Sequence, residues 1–151
     1  MPSCAGLFPM HYKIAVAKSL VDDLLPRVDG VEGARRHVQR ALNAIVAPGA
    51  RATQEHAYTA DSAGYCEITG EVGNPVHGMG EEESVGMGIL PHLRLHWPAD
   101  HSTKEAIRII ELAQKCAADG LNMGDVGAIK RCGRVLASLL MAAQEALSSC
   151  E

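Results

Sequence analysis

Apolar residues recur every three or four positions through the first part of the chain, and this spacing predicts two helices. The first spans 10–25, and Pro26 is expected to end it, because proline lacks the N–H that continues a helix. The second spans 31–47, and Pro48 follows it. The short connection 27–30 predicts an antiparallel helical hairpin. The apolar stripe of the first helix is Ile14, Ala17, Val21 and Leu24.

The pattern changes to alternation in the middle of the chain. Segments 53–60 and 65–72 flank the turn-rich residues 61–64, and this arrangement predicts a half-buried β-hairpin. Segment 92–97 also alternates, which predicts a third strand. In such a strand one face is apolar and turns inward, and the other is basic. The inward side chains would be Leu93, Leu95 and Trp97, opposite His92, Arg94 and His96.

Helical spacing returns in the last third. One helix is expected to end near Gly120, with Asp100 or a Ser102–Glu105 capping box at its start, and the final helix covers 124–148. The predicted class is therefore α+β: a helical hairpin, a small antiparallel sheet of about three strands, then two C-terminal helices. Residues 1–9 are expected to form a loose tail before a single domain over 10–151. Met10 is an alternative start of translation.

Composition narrows the class of protein. The chain has 151 residues, of which 47% are apolar and 21% charged, which fits one domain with a core and excludes a disordered chain. No run of about 18 apolar residues occurs, so no membrane segment is expected. A net charge of −4 and an aromatic content of 3% count against nucleic-acid binding.

The five cysteines indicate a reducing compartment. Their number is odd, and no two are spaced as in a zinc knuckle or a thioredoxin motif. Cys116 and Cys132 fall in predicted helices, where free cysteine usually acts as a small apolar residue. Residues 1–9 lack the basic start and apolar stretch of a signal peptide. A cytoplasmic protein is therefore expected.

The strongest candidate for chemistry is a basic cluster around the third predicted strand. Its imidazoles and guanidinium precede a helix start, and backbone N–H groups at a helix start favour anions. This combination predicts a site for a small anionic or nucleotide-like ligand, to which a further helix contributes two arginines. The candidate ligand-binding residues are His92, Arg94, His96, His101, Ser102, Thr103, Arg131 and Arg134.

A solvated sheet face explains the same row equally well, because Glu67 and Glu71 would face it from the neighbouring strand. A zinc ion bound by both His92 and His96 is excluded in a strand, where about 13 Å separates them. His96 with His101 and a glutamate remains possible, but no recognised ligand spacing occurs. We therefore expect neither a metal nor a cofactor.

Three functions follow from these observations. The first is a non-enzymatic accessory protein that binds a small anion, a nucleotide or an acidic partner. The second is a hydrolase or lyase with His96 or His101 as general base and an acid from 81–83. The third is a structural subunit that docks through the C-terminal helix, at Leu136 and Leu139. Bare sheet edges and that apolar helix also predict a homo-oligomer.

Overall fold

A computed structural model describes residues 7–47 and 88–148, and the side chains of 10–47 and 88–148. Five α-helices lie within these ranges. They are α1 (Leu7–Ser19), α2 (Val31–Val46), α3 (Ile89–His96), α4 (His101–Leu121) and α5 (Val126–Ser148). The described part of the chain contains no strand and no sheet, so the predicted α+β class is wrong for it. The predicted hairpin over 53–72 lies outside the described residues.

Residues 92–96 of the predicted third strand belong to α3 instead, and Trp97 caps the end of that helix. Alternation over six residues also fits a helix once Ile89 and Leu90 are included, because Ile89, Leu93 and Trp97 are then four positions apart on one face. Leu93 is 1% exposed, whereas Leu95, which a strand would turn inward, is 68% exposed. The helical period therefore accounts for the burial, and the alternation does not.

The four longer helices pack in a closed ring. The most extensive contacts follow the order α1, α2, α4, α5 and back to α1, with the largest between α4 and α5, and α2 also contacts α5. The shared core consists almost entirely of Leu, Ile, Val and Ala side chains, and α3 lies against α1, α2 and α4. No helix in 7–47 or 88–148 is both long and apolar enough to cross a membrane.

Three tertiary hydrogen bonds show which helix ends meet. Arg35 at the start of α2 donates to the carbonyl of Met123 after α4, at 2.7 Å from its Nη2. Lys130 near the start of α5 donates to the carbonyl of Pro26 at 3.1 Å. At the opposite end, His11 of α1 lies 3.4 Å from Ser148 of α5. These bonds show that α2 runs antiparallel to α4, and α1 to α5.

Two terminal features of α1 differ from expectation. The helix begins at Leu7, before position 10. It continues through a π-helical turn at Leu20–Leu24 and a 3-10 turn at Leu25–Arg27. The N–H of Leu25 donates to the carbonyl of Leu20, five residues earlier, so the turn is wider than an α-turn. Leu24 is consequently 40% exposed, and Leu25 takes its place in the core at 0%.

The start of α3 is held against the end of α2. The N–H of Gly88 donates to the carbonyl of Ala47 at 2.8 Å. A Cβ at Gly88 would lie 2.5 Å from the Ala47 nitrogen and 2.7 Å from the Ile45 oxygen. Both neighbours are backbone atoms, so glycine is required for this approach.

Replacing Leu93 with alanine is expected to lower the free energy of unfolding by about 2–5 kcal/mol, because a fully buried leucine leaves a cavity. Leu95→Ala should change it by less than about 0.5 kcal/mol, since that side chain is exposed. Urea denaturation followed by circular dichroism measures both. Equal losses would contradict the helix and support an alternating strand.

Gly88→Ala is expected to lower the free energy of unfolding by about 1–3 kcal/mol, because the new methyl group meets backbone. Gly124→Ala is the matched control, since a Cβ there meets nothing within 4 Å. Thermal melts of the two variants beside the parent chain measure the difference. A Gly88 variant as stable as the Gly124 variant would contradict the packing of α3 on α2.

Candidate functional site

Two histidines share one face of α3. His92 and His96 are one helical turn apart, and their rings meet edge to face with centroids 5.8 Å apart. His92 is 1% exposed, whereas His96 is exposed at the surface. The helix therefore brings together two imidazoles that a strand would separate, one inside the protein and one at its surface.

Lys13 of α1 adds a charge to this pair. Its side chain is only 4% exposed, on the face of α1 that also buries Met10 and Ile14. Burial, and after it the charges of Lys13 and His96, lower the pKa of His92 to about 3. His92 is consequently a neutral imidazole at physiological pH. We call Lys13, His92 and His96 the α1–α3 cluster.

One ring nitrogen of His92 has unused hydrogen-bonding capacity. Within the described residues, the buried Nδ1 atom of His92 has no hydrogen-bond partner. A buried polar atom without a partner costs about 1–3 kcal/mol, so such atoms are rare in folded proteins. A ligand that bonded to this nitrogen would remove that cost.

Lys13 is not among the site residues predicted from sequence, although its position carries a signal. Lys13 stands three residues after Met10 and four before Ala17, so it falls within the apolar stripe of the first helix. A lysine in such a stripe is either paired or placed for a function.

The structure places the other predicted residues differently. Arg94 forms a salt bridge with Glu111 of α4 at 2.5 Å, where both side chains are about half exposed. His101 is 94% exposed and lies 3.8 Å from Glu105. Such exposed pairs contribute about 0–1 kcal/mol each to stability.

The start of α4 already holds a carboxylate. Asp100, one of the two predicted caps, accepts a hydrogen bond from the N–H of Thr103 at 2.9 Å. This bond holds the pKa of the Asp100 carboxyl below its usual range. Thr103 itself is 2% exposed, and Ser102 beside it is half-buried. The Thr103 N–H, expected to face an anionic ligand, is therefore bonded to the protein's own anion.

Arg131 and Arg134 do not meet these residues within one chain. Cys132, next to Arg131, contacts Cys116 of α4 with 3.5 Å between their sulfurs. Cys116 lies 15 residues after His101, about 22 Å along the helix at 1.5 Å per residue. The two arginines are exposed near the start of α5, far along the helix axes from the start of α4.

A cation fits the α1–α3 cluster poorly. Two histidines one turn apart on a helix are a common half of a zinc site, but the charge of the nearby Lys13 repels a metal ion. Within 7–47 and 88–148, no group of three or more metal-ligating side chains occurs. Residues 81–83, which the hydrolase hypothesis needs as acids, lie outside the described residues, so that hypothesis stays a prediction.

Comparison with known proteins finds no matching family model, no similar curated protein and no similar solved structure.

The burial of His92 predicts a pH dependence of stability. Since its pKa is lowered to about 3 in the folded protein, the unfolded chain binds the extra proton between pH 6.5 and 3. The free energy of unfolding should therefore fall as the pH drops through that range. Urea denaturation at several pH values should show a shallower fall for His92→Gln. Its slope with pH should correspond to up to one proton fewer taken up on unfolding.

The matched control is His101→Gln, which removes an exposed histidine and should retain the fall seen in the parent chain. A His92→Gln variant with the same pH dependence as the parent chain would show that His92 is not buried as a neutral group.

Proposed function

We propose that the protein is a non-enzymatic binding protein that holds the carboxylate or phosphate group of a small ligand at the α1–α3 cluster. The observation that carries this proposal is the buried His92 imidazole, whose Nδ1 has no partner among the described residues, next to the buried Lys13. Of the ligand-binding residues predicted from sequence, the α1–α3 cluster retains His92 and His96, and it adds Lys13.

Charge decides between the classes of ligand. Lys13 provides an ammonium group in a position shielded from water, where its attraction for an anion is stronger than at the surface. The neutral imidazole of His92 can donate one hydrogen bond to an anionic oxygen, and a protonated imidazole donates a stronger one. His96 lies at the surface beside His92, so it can contact the part of a ligand that remains in solvent.

Proton uptake should accompany binding. A bound anion offsets the unfavourable burial of a charged imidazole, so it raises the pKa of His92 from its low value in the free protein. Affinity is therefore expected to increase as the pH falls, which a site made of lysine alone would not show over the same range.

Self-association and a cytoplasmic location remain part of this proposal. Among the described residues, several large apolar side chains are exposed, including Leu112 at 54% and Val135 at 54%. These support a homo-oligomer through α4 or α5 better than Leu136 does, because Leu136 is 0% exposed within one chain. The odd cysteine number supports the cytoplasmic location.

Inorganic phosphate and acetate are suitable first probes. Each is expected to raise the melting temperature of the parent chain at constant ionic strength, since a ligand that binds only the folded state stabilises it. Lys13→Met removes the buried charge at similar volume and should weaken binding at least about tenfold, equivalent to about 1.4 kcal/mol. Calorimetric titration from pH 5.5 to 8 should show affinity rising toward low pH.

His101→Gln and Arg131→Gln serve as controls, because both remove exposed groups outside the α1–α3 cluster and should leave affinity unchanged. Equal weakening by Arg131→Gln and Lys13→Met would indicate nonspecific charge attraction instead of a site. No stabilisation by either anion, or an affinity independent of pH, would contradict the proposal.

A further inference from the structure

Two cysteines face each other across the contact between α4 and α5. The sulfurs of Cys116 and Cys132 lie 3.5 Å apart, and both thiols are free. Each sulfur also lies near the backbone carbonyl of the other residue, at 3.6 Å for Cys116 and 3.2 Å for Cys132. The two side chains are therefore aimed at each other from neighbouring antiparallel helices.

Gly120 makes room for this arrangement. A Cβ at position 120 would lie 2.7 Å from the Cys132 sulfur, so any larger residue would displace the thiol. Cys132 is 6% exposed, and Cys116 is half-buried, which gives the pair a path to solvent on the Cys116 side.

The local hydrogen bonds make the two thiols unequal. The bond from the Cys116 thiol lowers the pKa of Cys132 to about 7, and a bond from the Gly120 backbone acts in the same direction against burial and the charge of Asp119. The pKa of Cys116 is raised, first by its bond to Cys132 and then by burial. Cys132 is thus the better nucleophile at neutral pH.

We propose that Cys116 and Cys132 form a reversible dithiol–disulfide centre that is oxidised by a hydroperoxide. A disulfide needs the sulfurs at about 2.05 Å, so they must approach by about 1.5 Å. The centre shares no residue with the α1–α3 cluster, because its residues lie on α4 and α5.

The reaction is a two-electron oxidation of the thiols. The Cys132 thiolate attacks one peroxide oxygen, the O–O bond breaks, and hydroxide leaves as a sulfenic acid forms on Cys132. The Cys116 sulfur then attacks the Cys132 sulfur, giving its proton to the departing hydroxyl group. The S–S bond forms, the S–O bond breaks and water leaves. A dithiol reductant reverses the reaction by thiol–disulfide exchange.

Peptide mapping of the full chain tests the cross-link. Trypsin cuts after Lys115, Lys130, Arg131 and Arg134, so the two cysteines fall in the separate peptides 116–130 and 132–134. After treatment with hydrogen peroxide and alkylation, we expect these peptides to be joined and to separate on reduction. The cross-link closes the turn between α4 and α5 and should raise the melting temperature by about 5 °C or more.

The other cysteines are removed by the substitutions Cys4→Ser, Cys66→Ser and Cys150→Ser, and in this variant the same joined peptides should form with loss of both thiols. If peroxide leaves both thiols free while circular dichroism shows the folded chain, the proposal is overturned. It is also overturned if Cys116 or Cys132 pairs with another cysteine in preference to its neighbour.

Single substitutions separate the two roles. In Cys116→Ser, oxidation should stop at a sulfenic acid on Cys132, which dimedone traps and mass spectrometry locates. In Cys132→Ser, or in Cys132→Ala if the serine variant does not fold, Cys116 should give less of this adduct, because burial still raises the pKa of its thiol. An adduct on Cys116 instead of Cys132 would overturn the assigned order of attack.

Discussion

The close contact between α4 and α5 is the interaction on which the rest of the described structure depends. Alanine and glycine line the inner face of α4 at Ala113, Ala117 and Gly120, so α5 can approach closely. Gly133 on α5 likewise allows the turn after α1 to lie close to α5, because a Cβ at Gly133 would lie 2.4 Å from the Leu25 side chain. Because interiors are packed at crystal-like density, small residues on one helix set how near its neighbour can lie.

This packing also determines where polar groups can be tolerated inside the ring. Leu, Ile, Val and Ala side chains make up most of the core. Lys13 and His92 are nevertheless buried beside it, and two thiols lie between α4 and α5. Each polar group placed there costs free energy unless it is bonded. The two thiols bond to each other and to backbone carbonyls, whereas the Nδ1 atom of His92 does not bond within the described chain. Within the described residues, the thiol pair therefore satisfies its own hydrogen-bonding groups, whereas the His92 ring does not.

The two centres have different relations to solvent. In the α1–α3 cluster, His96 is exposed at the surface beside the buried His92. The thiol pair is less accessible, because Cys132 is buried and Cys116 is half-buried. The proposed ligand site on α1 and α3 and the proposed oxidation centre on α4 and α5 share no residues.

The long helices were predictable from sequence alone, because each carries its own apolar stripe over more than three turns. The prediction for 31–47 matches α2 at Val31–Val46, and the cap at Asp100 follows from a local hydrogen bond three residues away. Such features depend on residues within a few positions of one another, so the sequence contains the information needed.

The segment 92–97 and the candidate site depended on tertiary structure. Six alternating residues satisfy both a strand and a helix, and the packing of Ile89, Leu93 and Trp97 against other helices decided for the helix. Lys13 and His92 are far apart in the chain, and so are the groups that bury them. The contact between Cys116 and Cys132 likewise requires the antiparallel course of α4 and α5. Burial and charge at such positions arise from distant neighbours, and no local pattern records them.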